Sequence, residues 1–236
     1  MNSGRSEPHN TNERVVVVVA VTTALVGLLS SVLWDAVRYE DGRFIAHSAD
    51  LVTIGAGKAR LFQVAMAADM VGSYLLFLPL VIYLWRRFRV GNEFAVDIIS
   101  TAGVAYVIVG AAGAAVLASA GPPLIRAYAS AQGVDTAPII TTFSTLSDAV
   151  LGVWQLLAGL LLATWWLGIG FLARDQWRWF ARLSVGFGAL TLVAVIAGMS
   201  TVDHDSSAPT TLVFLPLVLW PAAFALVLSR SSRVDI

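Results

Sequence analysis

Apolar residues run through this chain in six long blocks separated by polar or charged segments, near 15–34, 61–85, 97–120, 149–173, 182–201 and 210–229. A hydrocarbon core about 30 Å thick needs roughly 20 residues of helix, so each block is long enough to cross one. The first, VVVVVAVTTALVGLLSSVLW, is rich in β-branched residues that favour strands elsewhere. In lipid an isolated strand leaves its backbone unpaired, so all six blocks are expected to be helices. That first block exceeds a signal-peptide core and lacks an A-x-A cleavage site, and it reads as a retained span. The pattern predicts an all-α fold: a polytopic membrane helix bundle with six transmembrane helices. One transmembrane domain over 15–229 is flanked by polar tails at 1–14 and 230–236.

Composition sharpens this. Of 236 residues, 58% are hydrophobic and 13% charged, and the mean hydropathy is +0.78, far from the usage of soluble domains. There is no cysteine, which excludes disulfide frameworks, thiolate metal ligation and thiol catalysis. Fifteen Lys and Arg balance fifteen Asp and Glu, so no basic field for nucleic acid exists.

The placement of charge sets an expected orientation. With the N-terminus inside, Arg5, Arg14, the 86–89 turn, the 174–182 turn and the C-terminal arginines put ten basic residues inside against five outside. Both termini are then cytoplasmic. Trp34 and Trp154 fall near the outer interface, and Trp85, Trp177 and Trp179 near the inner one. The long connections, 35–60 and 121–148, are outside. In the first, Phe44, His47, Leu51 and Ile54 share one helical face, which predicts a helix lying on the membrane surface. The second opens with Gly121, Pro122 and Pro123, expected to end helix three. Within helix three, Gly110, Ala114 and Ala118 recur at i, i+4 and i+8, which predicts close approach of a neighbouring helix. Pro79, Pro216 and Pro221 are expected to kink helices two and six.

Candidate chemistry is sparse. Asp97 and Asp148 are expected in the first turns of their helices, where free amides and the dipole favour a carboxylate. Asp69 differs. It lies sixteen residues before Trp85, roughly 24 Å above the inner interface and inside the hydrocarbon core. An uncompensated charge there costs a few kcal/mol, so the group should be neutral, paired or facing water. Gln155 has a similar depth on helix four, and Ser73 lies one turn from Asp69. The three are expected to form a polar clamp between helices, or the floor of an outward-facing site. A second constellation, His47, Asp50, Asp203, His204 and Asp205, brings metal-ligating residue types to the outer loops without any diagnostic spacing. The segment GAGKAR at 55–60 lacks the spacing of a phosphate loop, no nucleophile elbow is present, and no intramembrane histidine offers a haem ligand. No catalytic residue and no cofactor are expected.

Several residues together carry a resemblance: the basic turn YLWRRFRVGN after helix two, the small-residue third helix, the Trp- and Arg-rich turn LARDQWRWFAR after helix four, and the closing LPLVLWPAAFALVLSR. This layout resembles an uncharacterised family of bacterial six-helix integral membrane proteins, a domain of unknown function, most strongly over 97–229. Pro221 stands where a carboxylate would be expected in that pattern. The resemblance implies a multi-pass protein of a bacterial inner (cytoplasmic) membrane and transfers no site residue. Two function classes stay open. One is an accessory subunit or lipid- or partner-binding bundle of a membrane complex, with membrane lipids and other membrane-protein subunits as partners. The other is a small-solute or proton-coupled transporter, or an outer-leaflet membrane enzyme, with a site on the outer face.

Overall fold

The computed structural model describes residues 7–40, 43–45, 49–90, 93–131, 135–200 and 208–234. Among the described residues the chain is helical apart from short connections and a two-residue antiparallel ladder of β1 (Tyr39–Glu40) with β2 (Arg43–Phe44). The helices are α1 (Glu7–Arg38), α2 (Ala59–Asp69), α3 (Phe77–Phe88), α4 (Glu93–Ser130), α5 (Ala137–Gly152), α6 (Gly159–Ala173), α7 (Arg178–Ser200) and α8 (Ala208–Val234). A π-helical turn, Met70–Leu75, joins α2 to α3, and a second, Val153–Ala158, joins α5 to α6, so each pair forms one rod. Among the described residues, five stretches are long and apolar enough to cross a membrane: Asn12–Arg38, Ala56–Phe88, Glu93–Ser130, Ala137–Ala173 and Arg178–Gly198. Within α8, Leu215–Arg230 is a shorter apolar helix.

The first π turn has a cause in the sequence. Pro79 has no N–H to give the carbonyl four residues back, Leu75, and its ring crowds that carbonyl. The wide turn ends at Leu75, with Leu76 N–H reaching Val71 O five residues back at 3.0 Å. The proline is thus absorbed by a change of helical period.

Helix α4 is central, packed against α2, α3, α5 and α6, while α1 runs along α8 and α6 along α7. Its small residues do a different job from the expected one: they accept aromatic rings. A Cβ at Gly103 would meet Trp165 at 2.8 Å, at Gly110 Tyr74 at 1.8 Å, at Gly113 Trp154 at 2.4 Å, and at Gly121 Phe62 at 2.4 Å. A close backbone approach lies elsewhere, where a Cβ at Gly72 would meet Gly27 N and Val26 C of α1, each at 2.8 Å.

Two apolar cores follow. Toward the end carrying the arginine turns, Phe77, Trp165, Phe180, Trp220 and Phe224 form a fully buried aromatic stack. Trp220 and Trp165 have ring centroids 4.9 Å apart, and Phe180 and Trp220 5.1 Å. At the opposite end, Leu51, Val52 and Ile54 are buried against Val37, Phe62, Leu117, Ile125 and Phe143. This corrects the surface-helix expectation. The 49–58 segment folds as 3-10 turns onto the end of the bundle, because Leu51, Val52 and Ile54 have a protein surface to bury against. Arg38 Nε donates to Ile45 O at 2.9 Å, and the Lys58 ammonium donates to Tyr39 O, holding the segment's base.

Helix three was also expected to end at Gly121–Pro123, but α4 continues through Pro122 and Pro123 to Ser130. Pro122 lies 29 residues beyond Glu93, roughly 43 Å along the axis. That is past a 30 Å core, where water can satisfy the carbonyls the prolines leave open. Helix α5 begins twelve residues before the expected start. Pro138 sits in its first turn, and Asp135 accepts a hydrogen bond from Ala137 N at 3.0 Å. Asp148 therefore lies mid-helix and not in a first turn. Glu93 takes the first-turn place expected for Asp97. Asp97 instead accepts Trp85 Nε1 at 2.7 Å and Arg89 at 3.3 Å, tying the end of α3 to the start of α4.

Candidate functional site

Asp69 is the last residue of α2 and is 3% exposed. Its position is a consequence of local geometry. The close approach at Gly72 brings α1 against the α2–α3 rod, and Ser30, one helical turn past Gly27, then reaches across. Ser30 Oγ donates to Asp69 Oδ1 at 3.4 Å, a long bond, with both residues buried. The Ser73 hydroxyl, one turn on, faces the same carboxyl. Among the described residues Asp69 makes no ion pair.

The π turn after Asp69 carries Tyr74 into the groove of α4. Its ring lies on Gly110, tilted against Tyr106 at 5.4 Å and stacked on Trp154 at 6.2 Å. Trp154 belongs to the second π turn and donates from Nε1 to Gly110 O at 3.2 Å. Tyr106 OH donates to Ser73 O at 3.0 Å, closing a path from the carboxyl through Ser73 to the tyrosine pair. Thr23, further along α1, donates to Leu76 O at 3.2 Å. The two π turns therefore meet through Tyr74 and Trp154, with the carboxyl at one edge of the contact.

Of the residues expected together, Asp69 and Ser73 share this site. Gln155 does not: it is exposed on the second π turn, and the helix-crossing partner of Asp69 is Ser30. The wide turn directs Trp154, not its neighbour, into the bundle. The outer-loop metal set lies mostly outside the described residues, namely His47, Asp203, His204 and Asp205. Asp50 is exposed in the 3-10 turn Ala49–Thr53. No cluster of three or more His, Cys, Asp or Glu occurs among the described residues. Ser30, Tyr74, Tyr106 and Trp154 were not singled out from sequence as parts of the site.

Chemically, a carboxyl with two hydroxyls and no cationic side chain can hold helices together through hydrogen bonds, or hold a proton or a small cation. The tyrosine pair adds rigidity. Tyr106→Phe is expected to lower unfolding stability in detergent by about 1–2 kcal/mol, because the buried Ser73 carbonyl loses the hydroxyl donor. An unchanged unfolding midpoint would show that the bond carries no weight.

The chain matches no protein-family model, no curated protein and no solved structure.

Proposed function

We propose that this chain is a six-span membrane bundle with both termini cytoplasmic, of the bacterial six-helix kind it resembles, acting as an accessory, lipid- or partner-binding subunit of a larger inner-membrane complex. The observation that carries this reading is the Ser30–Asp69 contact: the carboxyl most suggestive of chemistry is turned inward and engaged between α1 and α2. The aromatic rings seated on the α4 glycines support the same reading, since they fill the middle of the bundle with side chains. The sixth span is α8, whose apolar stretch packs along α1. The basic turns at 86–89 and 174–182 support a cytoplasmic location for that end.

The test is native mass spectrometry after gentle extraction from the native membrane, on the unmodified chain and on Asp69→Asn. A reproducible added polypeptide mass is expected for both. An amide of the same shape can still accept from Ser30, so the clamp should lose less than about 1 kcal/mol and the complex should persist. A bare protomer would overturn the subunit reading. An Asp69→Asn protein that folds normally but abolishes an ion or solute flux would instead assign the carboxyl a transport role.

A further inference from the structure

We propose that the arginine-bearing end of the bundle holds a specific site for the phosphodiester headgroup of an anionic glycerophospholipid, formed by Arg14, Arg87 and Arg230. This deepens the lipid-binding part of the reading above and rests on the chain being a membrane bundle.

The three residues come from three different helices, and the contacts between those helices bring them to one level. Gly27 of α1 packs on Val218 of α8. The two helices run antiparallel, so thirteen residues back along α1 to Arg14 and twelve forward along α8 to Arg230 cover nearly equal distances, roughly 18–20 Å. Gly72 packs on the same point of α1, and Arg87 lies fifteen residues further along the α2–α3 rod, roughly 22 Å. The aromatic contacts agree: Tyr83, one turn before Arg87, touches Phe224 of α8 at 6.0 Å, and Phe224 lies less than two turns before Arg230.

All three arginines are exposed and make no ion pair with a described residue. Two other arginines at this end are paired, Arg89 with Asp97 at 3.3 Å and Arg174 with Asp175 at 3.6 Å. Glu13 sits within electrostatic reach of Tyr83, as does Arg87. Among the described residues named here, three guanidinium groups stand against this one carboxylate. Beneath them the Tyr83 hydroxyl is buried with no hydrogen-bond partner among the described residues, an unused donor at the level of a headgroup.

Guanidinium forks match phosphate oxygens in geometry and charge. The neighbouring turns favour a lipid over a free anion. Val15, Val18, Ile82 and Leu226 present apolar side chains outward immediately next to the arginines, a track on which acyl chains can lie while the phosphate meets the charges. A general excess of inward-facing arginine explains charge at this end. It does not single out three guanidinium groups from three adjacent helices at one level, with Arg87 within electrostatic reach of a buried hydroxyl that has no partner among the described residues.

The test compares lipid retention by the full chain in detergent, using native mass spectrometry with added phosphatidylglycerol, phosphatidylcholine or inorganic phosphate. Membrane partition is confirmed beforehand, so a failure of the membrane reading is seen separately. R14Q/R87Q is expected to retain phosphatidylglycerol about 25-fold less than the parent, at about fivefold for each arginine removed. R178Q/R182Q removes the same charge at the same end and should change retention less than about twofold. Phosphatidylcholine should be retained weakly, and inorganic phosphate should not displace the lipid. Equal losses in the two variants would overturn the site in favour of a diffuse basic rim. Equal retention of both lipids would overturn its charge selectivity, and displacement by inorganic phosphate would make it a soluble-anion site. If R14Q/R87Q unfolds at a lower temperature, R230Q reads the same site alone, with about a fivefold loss expected.

Discussion

Trp220→Ala is expected to destabilise the protein by about 3–5 kcal/mol, the usual range for truncating a fully buried Trp. The indole touches Phe77, Trp165, Phe180 and Phe224, with centroid separations between 4.9 and 6.1 Å, and donates from Nε1 to Ser184 Oγ at 2.9 Å. In a bilayer the loss is mainly one of packing, because lipid tails solvate apolar side chains about as well as the protein does. The cavity is hard to close. Its walls are rings held by each other. Unfolding by SDS titration, followed by far-ultraviolet circular dichroism, measures the effect. Trp220→Phe should lose less, about 1–2 kcal/mol, keeping the ring stack while depriving Ser184 of its donor. A loss below about 1 kcal/mol for the alanine variant would mean that the aromatic stack does not hold this half of the bundle together.

Gly110→Ala is the second large effect, from a single added methyl group. The new Cβ would lie 1.8 Å from Tyr74 Cε1 and 2.0 Å from Cδ1, far inside contact distance. Tyr74 cannot simply swing away, since Trp154 covers one side and Tyr106 lies on another. Overpacking of this kind costs about 1–3 kcal/mol and sometimes more, against about 1 kcal/mol gained from the better helix propensity of alanine. A net loss of about 1–2 kcal/mol is expected, with separation of the two π turns. Gly152→Ala is the matched control: a Cβ there meets nothing within 4 Å, so the propensity term should act alone and the variant should be neutral or slightly stabilised. The double variant Gly110→Ala/Tyr74→Leu should recover part of the loss. If Gly110→Ala behaves like Gly152→Ala, the Tyr74–Trp154 contact is not a fixed feature of the bundle.

Hydrophobic blocks told where helices would be, because length and continuity of apolar residues decide spanning capacity without reference to neighbours. What lies outside the blocks was read less well. Gly121, Pro122 and Pro123 look like a helix stop when only local propensity is weighed, yet α4 passes through them, since packing against Phe62 and access to water compensate. The segment 49–54 was assigned to the membrane surface because a lone amphipathic stretch has nowhere else to place its apolar face. Of its true partners, Phe62 follows soon after, but Ile125 and Phe143 are far away in sequence.

The site shows the same division. Asp69 is legible from depth alone, but its partner is not: matching depth suggests Gln155, whereas the carboxyl accepts from Ser30. Ser30 is four residues inside Trp34, roughly 6 Å from the interface expected there, and Asp69 is expected at about that level too, 24 Å along a 30 Å core from Trp85. Matching depths pointed to Ser30 as well as to Gln155. Only the azimuth of each side chain separates the two, and the second π turn shifts that azimuth in a way hydropathy does not record.

The plug formed by Leu51, Val52 and Ile54 has a bearing on how the chain matures. Synthesis delivers these residues before α4 and α5, yet Leu117, Ile125 and Phe143, which help to cover them, belong to those later helices. During biogenesis the segment therefore lacks part of its cover until three more spans, the α2–α3 rod, α4 and the α5–α6 rod, have been inserted, a period in which a membrane chaperone or a quality-control protease can recognise it. Completion of the fourth rod hides that signal, so this small patch can report to the cell whether insertion has proceeded past the middle of the chain.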